Sequence, residues 1–464
     1  MGGGPRATGC GPPLVDGLDV QLAHAWQVAS FLMAAPAAPA PQRGLRQAIQ
    51  AFAYRDFSIF WSGALLSNIG TWMQNVTVPY VLFRQTGSAL WVGVAAFMQF
   101  FPGVLLGPVA GWMADRFDRR MVLLASQAAS AVLALALWAL FATGRATPLT
   151  IVILVAAGGV SWGVSIASWQ AFVSELVPRD ALLNAITLNS AQFNGARAIG
   201  PALGGLILGP LGPSWAFLAN ALSYVAVLVA LLAVRPDQSR RQRSTGRVIA
   251  QFTEGLRYVR KHTGIALAVG LVSAMAFLGS PVFQLSTVLA ARVFHVGAGD
   301  YGILTGALGG GGVVGALLLG TIGSRYRRST LVSVAFVFNA VALAGVGLAP
   351  TFAAAVGFMA LAGIGYLAAV ATLQTSVQML VAESFRGRAL AVYVMVFTGA
   401  YPLGALLQGW LADVIGVRAT IVSAAALLFV FGALLLVRPR VSRHLDEHTH
   451  RAKVVLVPEP VAAA

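Results

Sequence analysis

Residues 111–120 read GWMADRFDRR, and 209 positions further on residues 320–329 read GTIGSRYRRS. In each stretch a glycine closes an apolar run, an arginine follows five residues later (Arg116 and Arg325), and a basic cluster comes after it. Long segments almost without charge flank both. The pair reads as the same turn in two copies of one membrane-embedded unit.

Composition fixes the class. Of 464 residues 58% are hydrophobic and 10% charged, with a mean hydropathy of +0.78. Soluble domains carry about a quarter of their residues as charges, so this chain could not cover itself against water. Its 51 glycines follow no collagen-like or low-complexity period. They suit helices that approach closely in lipid.

About 20 apolar residues span the roughly 30 Å of bilayer hydrocarbon. Twelve runs qualify: 57–82, 89–114, 121–141, 149–172, 185–208, 214–234, 265–289, 302–322, 330–348, 352–377, 389–411 and 419–437. Of the 31 Lys and Arg residues, 26 lie in the two tails and the even-to-odd loops. The other side holds Arg84, Arg145, Arg292 and Arg418, while Arg197 falls inside a span. The positive-inside rule therefore puts both termini in the cytoplasm. The net charge of +16 is a topology signal, and nucleic-acid binding is the weaker reading.

The longest interior polar stretch, 235–263, opens RPDQSRRQRSTGR and divides the spans six and six. It separates an N-terminal bundle over 46–234 from a C-terminal bundle over 264–440. Within it Ile249, Phe252, Leu256 and Val259 recur at helical spacing with basic residues opposite. That pattern fits an amphipathic helix on the inner leaflet, or equally a solvated linker helix. A second echo joins 177–201 to 382–402, each running from a polar loop with an arginine into a helix with a mid-span proline, Pro201 and Pro402. Two six-helix halves in one orientation make an all-α membrane protein of parallel-repeat type. Residues 1–45, rich in Gly, Pro and Ala, read as a disordered tail with Met33 as an alternative start, and 441–464 as a cytoplasmic tail. Cys10 lacks the apolar stretch of a lipid-anchored cysteine and reads as an inert thiol.

Polar residues inside spans mark candidate sites. Arg197 costs about 2.5 kcal/mol or more at such a depth, and usually faces a cavity or a partner. Asn68, Trp72, Gln74 and Asn75 on the first span could line the same cavity. So could Gln99, Gln170, Asn189 and Gln192 on the second, fourth and fifth spans, and Gln284, Gln374, Gln378 and Gln408 in the second half. Trp162, Trp169, Phe97 and Phe283 suit an apolar pocket, although packing is the default for an aromatic. On the fifth span Gly200, Pro201, Gly204 and Gly205 make a kinked, closely packing helix. At the basic turn Gly111 permits close helix contact. Asp115 ends its helix where a neighbouring helix N-terminus would favour its charge. Arg116, Arg119 and Arg120 can anchor to lipid phosphate or pair with Glu175. The second copy has Ser324 where the first has Asp115.

Other classes find little support. The six histidines, His24, His262, His295, His444, His448 and His450, do not converge as a membrane enzyme would need. No metal cluster or cofactor motif occurs, and no P-loop couples the chain to ATP. Asp115, Glu175, Asp300, Glu383 and Asp413 all fall at span ends, leaving Asp115, Asp300 and Asp413 as candidates for carrying a coupled proton.

The motifs carry a family resemblance. GWMADRFDRR matches the Gly-x-x-x-Asp-Arg-x-x-Arg-Arg signature of the major facilitator superfamily, between helices two and three. RDFSIFWSGALLSNIGTWMQNVTVPYVLF, QFFPGVLLGPVAGWMADRFDRR and FRGRALAVYVMVF resemble the branch of transmembrane secretion effectors and enterobactin-exporter-like proteins, over Leu45 to Arg440. The resemblance implies a secondary active transporter in the bacterial inner membrane, exporting drugs, siderophores or similar organic metabolites by alternating access. It carries proton coupling as an option, a monomer among membrane lipids, and no cofactor. An uptake permease for a small organic solute is the alternative. It also implies that the basic turn helps hold an outward-open state. The fifth-span glycines resemble the antiporter motif of superfamily exporters, with Ala196 where a strict match has glycine.

Overall fold

The computed structural model describes residues 49–236 and 248–446. The tail over 1–45 with Cys10 and Met33, the basic stretch 237–247 and the residues after 446 lie outside the described set. Twelve membrane-length helices follow one another: α1 (Arg55–Thr86), α2 (Ala89–Arg116), α3 (Arg119–Ala142), α4 (Pro148–Val173), α5 (Leu182–Leu208) and α6 (Pro213–Ala233) form the first half. The second half comprises α7 (Thr263–Arg292), α8 (Ala298–Ile322), α9 (Arg328–Leu348), α10 (Phe352–Leu380), α11 (Glu383–Val414) and α12 (Val417–Val437). Most begin one or more residues before the apolar run, because helix geometry carries on into polar flanks that a hydropathy reading trims.

Ten of these helices are long and apolar enough to cross a membrane by length and composition. The other two are α1 and α5, whose interiors carry the amides and Arg197. Large apolar side chains such as Leu206, Leu222, Leu317 and Val437 are exposed on the outside of the bundle, as lipid contact requires.

Sequence sets the helix ends. Asp118 accepts from the backbone N–H groups of Arg120 and Met121 and starts α3. Thr147 and Thr150 form a reciprocal capping box before α4, with Pro148 in the first turn. Gly87 takes a φ of +65° at the end of α1, which lets α2 begin two residues later.

The two halves repeat one packing scheme. Helices α1·α6, α2·α4, α3·α4 and α3·α6 pack in the first half, and α8·α10, α9·α10 and α9·α12 answer them in the second. Between the halves the main seams are α2·α11 and α5·α8.

Helix α7, the span read over 265–289, is interrupted. After Ala274 it passes through a π-turn, Met275–Gly279, and resumes at Val282. Pro281 has no N–H to offer the Phe277 carbonyl one turn back. Gln408 on α11 supplies the missing donor, its Nε2 reaching the Phe277 carbonyl at 2.7 Å and that of Leu278 at 3.2 Å. The kink brings Ser280, Phe283 and Gln284 to the centre of the molecule.

A connector helix, Val248–Lys261, precedes α7. It is bolted to the start of α11: Glu254 pairs with Arg388 at 2.8 Å, and the Tyr258 ring stacks on Phe385 at 4.5 Å. The backbone N–H of Ala382 donates to the Tyr258 hydroxyl. Leu256 and Val259 pack into the core of the second half. The apolar stripe thus meets protein at these positions, and the side chains of 248–252 lie outside the described set.

Candidate functional site: the central cavity

The apolar core of the first half is split. One cluster, with Phe57, Phe60, Phe172 and Leu231, lies toward the face that bears the basic turns. Another, with Leu82, Leu137, Ile151 and Phe217, lies toward the opposite face. Between them sits a cavity of about 240 Å³ lined by residues of both halves.

Its first-half wall is polar and aromatic by turns. Gln99 donates to Asn75 at 2.5 Å, and Asn220 donates to Gln74 at 2.7 Å, so three of the expected amides, Gln74, Asn75 and Gln99, are tied between helices. Asn68 and Gln170 also line the wall, the Nε2 of Gln170 and the Nε1 of Trp169 having no hydrogen-bond partner among the described residues. Trp72 makes edge contacts with Phe193 at 5.9 Å and with Phe283 of the other half at 6.1 Å. Arg197 lies midway along α5 with its guanidinium 5.4 Å from the Trp72 ring centroid, a cation–π geometry. It is the single charged side chain lining the cavity among the described residues.

The second-half wall carries hydroxyls. Ser280 donates to the Tyr366 hydroxyl, and Gln284 donates to the Tyr401 hydroxyl, each at 3.0 Å. Phe283, Phe397 and Thr398 complete this side, and Trp162 faces it from α4.

Of the thirteen candidates from Asn68 to Gln408, Arg197 included, eight therefore meet here and five do not. Asn189 and Gln192 are buried outside the cavity lining, and Gln192 donates weakly to the Trp61 carbonyl of α1 at 3.4 Å. Gln374 is buried away from the cavity, and Gln378 is exposed. Gln408 serves the α7 kink, and Phe97 stacks on Phe101 at 4.4 Å. Tyr366, Tyr401 and Ser280 were not among the expected residues. Tyr401 directly precedes the mid-span proline Pro402, and Ser280 precedes Pro281, so a polar residue beside a span proline was the available signal.

The fifth-helix glycines seat α5 between two neighbours. A Cβ on Gly204 would lie 3.2 Å from Met73 of α1, and Gly200 faces Trp72. A Cβ on Gly205 would lie 2.6 Å from the Gly302 Cα of α8, across the seam between the halves. Pro201 is buried in the same stretch. On the other seam a Cβ on Gly93 would meet the Ala405 carbonyl at 2.5 Å. Of the close approaches that glycines make between the halves, those of Gly93, Gly205, Gly302 and Gly409 lie on the part of the helices away from the basic turns, while Gly309 meets Ala198 at mid-helix.

That face is also clasped. Asp413, ending α11, accepts from the backbone N–H groups of Ala89 and Leu90 at 2.9 Å each and from Ser88 Oγ at 2.5 Å. It thereby caps α2 of the other half. Arg292, ending α7, donates to Asp413 at 2.9 Å and to the Gly87 carbonyl.

On the basic face the turn 116–120 is built into the first half. Arg119 pairs with Glu175 at 2.7 Å, and their side chains are only 4% and 5% exposed. Arg120 donates to the carbonyls of Leu231 and Leu232, which end α6. Arg116 lies over the Trp112 ring at 5.7 Å. Gly111 is buried, and Asp115 lies in the last turn of α2 with its side chain outside the described set. The second copy is not its equal. Gly320 faces open space, and Ser324 and Arg325 are exposed. Arg328, which answers Arg119, has an Nη1 without a hydrogen-bond partner among the described residues, while Asp446 caps α9 through Ser329.

A two-half helical bundle around a central cavity is a transporter architecture, and the family model for transmembrane secretion effectors matches residues 47–463. The chain belongs to the transmembrane secretion effector family. It is a multi-pass secondary transporter of the major facilitator superfamily and not an enzyme. It is 26% identical to the multidrug efflux pump Tap of Mycobacterium tuberculosis, over 82% of this chain and 93% of the relative. It is 25% identical to the staphyloferrin A transporter of Staphylococcus aureus, over 84% and 98%. Among solved structures, a bacterial homologue of the human lysosomal transporter Spinster superposes with a TM-score of 0.67 at 14% identity, over 87% of this chain and 98% of that one. In this secretion-effector member α1 supplies Asn68, Gln74 and Asn75 to the amide wall, and α5 supplies Arg197, the one charge lining the cavity among the described residues.

Proposed function

We propose that the protein exports a small organic solute from a bacterial cell by alternating access, the central cavity being reached from each face in turn. One observation carries the reading: a cavity shared by both halves lies beneath a face where the halves are joined. The Asp413–Arg292 clasp and the Gly205–Gly302 approach close the face away from the basic turns. With 26 of 31 basic residues on the other side, the positive-inside rule assigns that side to the cytoplasm of the inner membrane. The cavity is then loaded from the cytoplasm. Closure there, with release of the clasp, completes the cycle.

The relatives include a multidrug efflux pump, which supports outward direction. One chain encloses the whole cavity, which supports the monomer as the transporting unit in its lipid surroundings. Among the described residues no carboxylate lines the cavity. A coupled proton is then carried at a helix end, where Asp115, Asp300 and Asp413 sit, or the membrane potential acts on the solute directly.

The test is steady-state accumulation of a panel of fluorescent and radiolabelled organic compounds in cells with and without the protein. Export predicts lower accumulation of at least one compound, reversed by an uncoupler. Raised accumulation would support an uptake permease instead.

A further inference from the structure

The chemistry around Arg197 selects a class of solute. Arginine stays protonated and offers five donors and no acceptor. Among the described residues the cavity lining supplies no carboxylate to neutralise it. Its described neighbours are the Trp72 face, at 5.4 Å, and the Tyr366 hydroxyl. That hydroxyl already accepts from Ser280, and the Tyr401 hydroxyl already accepts from Gln284. Each phenol therefore keeps its own O–H to donate. Three donor groups thus look into one space, two of them with an acceptor site already used. Their complement is an acceptor bearing negative charge. An ammonium ion would meet a like charge there and no counter-charge.

The surrounding surfaces define the rest of the solute. Trp72, Phe193 and Phe283 form a cluster of edge-to-face rings beside Arg197. Flat apolar bodies pack well on such surfaces.

We propose that the cavity is an organic-anion site, in which an anionic oxygen group is held between Arg197 of the first half and Tyr366 and Tyr401 of the second, with an aromatic or apolar body against Trp72 and Phe283. The proposal rests on the transporter reading above and deepens it. The donors come from opposite halves, so the bound anion draws the halves together. This gives the solute a differential affinity for the closed form, which a conformational cycle requires. A carboxylate matches the planar guanidinium fork best, while a sulfonate or phosphate monoester shares the charge with a different geometry.

The experiment measures equilibrium binding to the purified full-length protein in lipid nanodiscs by calorimetry. The probes share one ring system: 1-naphthoate, 1-naphthalenesulfonate and 1-naphthyl phosphate, with 1-naphthamide as the neutral and 1-naphthylmethylammonium as the cationic counterpart. At least one anion should bind about tenfold or more tighter than the amide, as a charge-assisted hydrogen bond implies, and the ammonium should bind weakest. Arg197→Gln should bring the anion down to the amide's affinity. Arg197→Lys should keep part of the preference. Tyr366→Phe and Tyr401→Phe should each weaken the anion by about two- to tenfold and leave the amide unchanged. Thermal melts check that each variant is folded. The proposal is overturned if amide or ammonium binds as tightly as every anion, if no anion binds, or if the preference survives in Arg197→Gln. Anion binding without any change of cellular accumulation would sink the export reading and spare the site. Export of neutral or cationic compounds alone would do the reverse.

Discussion

Asp413 and Arg292 stand 2.9 Å apart at the ends of α11 and α7, and each also bonds the α1–α2 turn of the other half. The ion pair is partly exposed, at 38% for Arg292 and 24% for Asp413, so by itself it is worth about 0–1 kcal/mol. The larger effect is the capping of α2, worth about 0.5–2 kcal/mol for a residue accepting from helix N-terminal N–H groups. Asp413→Ala should therefore shift the balance between the two states by roughly tenfold toward opening of this face. Labelling of a cysteine placed at Ser88 should speed up accordingly in the variant background. An unchanged labelling rate would mean that the seams α2·α11 and α5·α8 hold the face without the clasp.

The basic turn separates a structural role from a conformational one. Glu175→Gln leaves Arg119 buried without its counter-charge, at a cost of about 3–5 kcal/mol for one partner of a buried pair. It should lower the melting temperature of the purified protein markedly. Arg328→Gln in the second copy should lower it much less, since Arg328 already has one unpartnered nitrogen. Asp115→Asn should reduce transport with insertion intact, and Ser324→Ala should matter less. Equal transport losses at matched expression would contradict the asymmetry of the two turns.

The α7 kink makes a third prediction. Gln408→Leu strands the Phe277 carbonyl, at a cost of about 1–3 kcal/mol for a buried unsatisfied acceptor. Pro281→Ala restores the N–H that this carbonyl lacks. The double variant Gln408→Leu/Pro281→Ala should therefore be more stable than Gln408→Leu alone, read as a rise in melting temperature. Additive losses would show that the two residues act independently.

Much of the architecture was legible because lipid imposes a simple rule on span length and loop charge. The twelve helices stand where the twelve runs of about 20 residues were read, ten of them apolar enough to span by length and composition, and Arg197 and Gln99 were visible as departures from apolarity. The departures that stayed hidden depend on azimuth and partners. Gln374 is a buried amide on the same helix as Tyr366, yet Tyr366 reaches the cavity and Gln374 does not. A tyrosine in an apolar span reads as packing, so Tyr366 and Tyr401 passed unnoticed. Asp413 showed only as an acid at a span end. Its capping role joins it to Leu90, 323 residues away, and no local pattern encodes that.

The direction of transport is tested most directly in membrane vesicles of known orientation. Inside-out vesicles carrying the protein, energised by respiration, should accumulate the compounds whose cellular level the protein lowers, and right-side-out vesicles should not. Gly205→Val, which places a side chain against the Gly302 backbone on the closed seam, should abolish that accumulation. Accumulation confined to right-side-out vesicles would contradict the account.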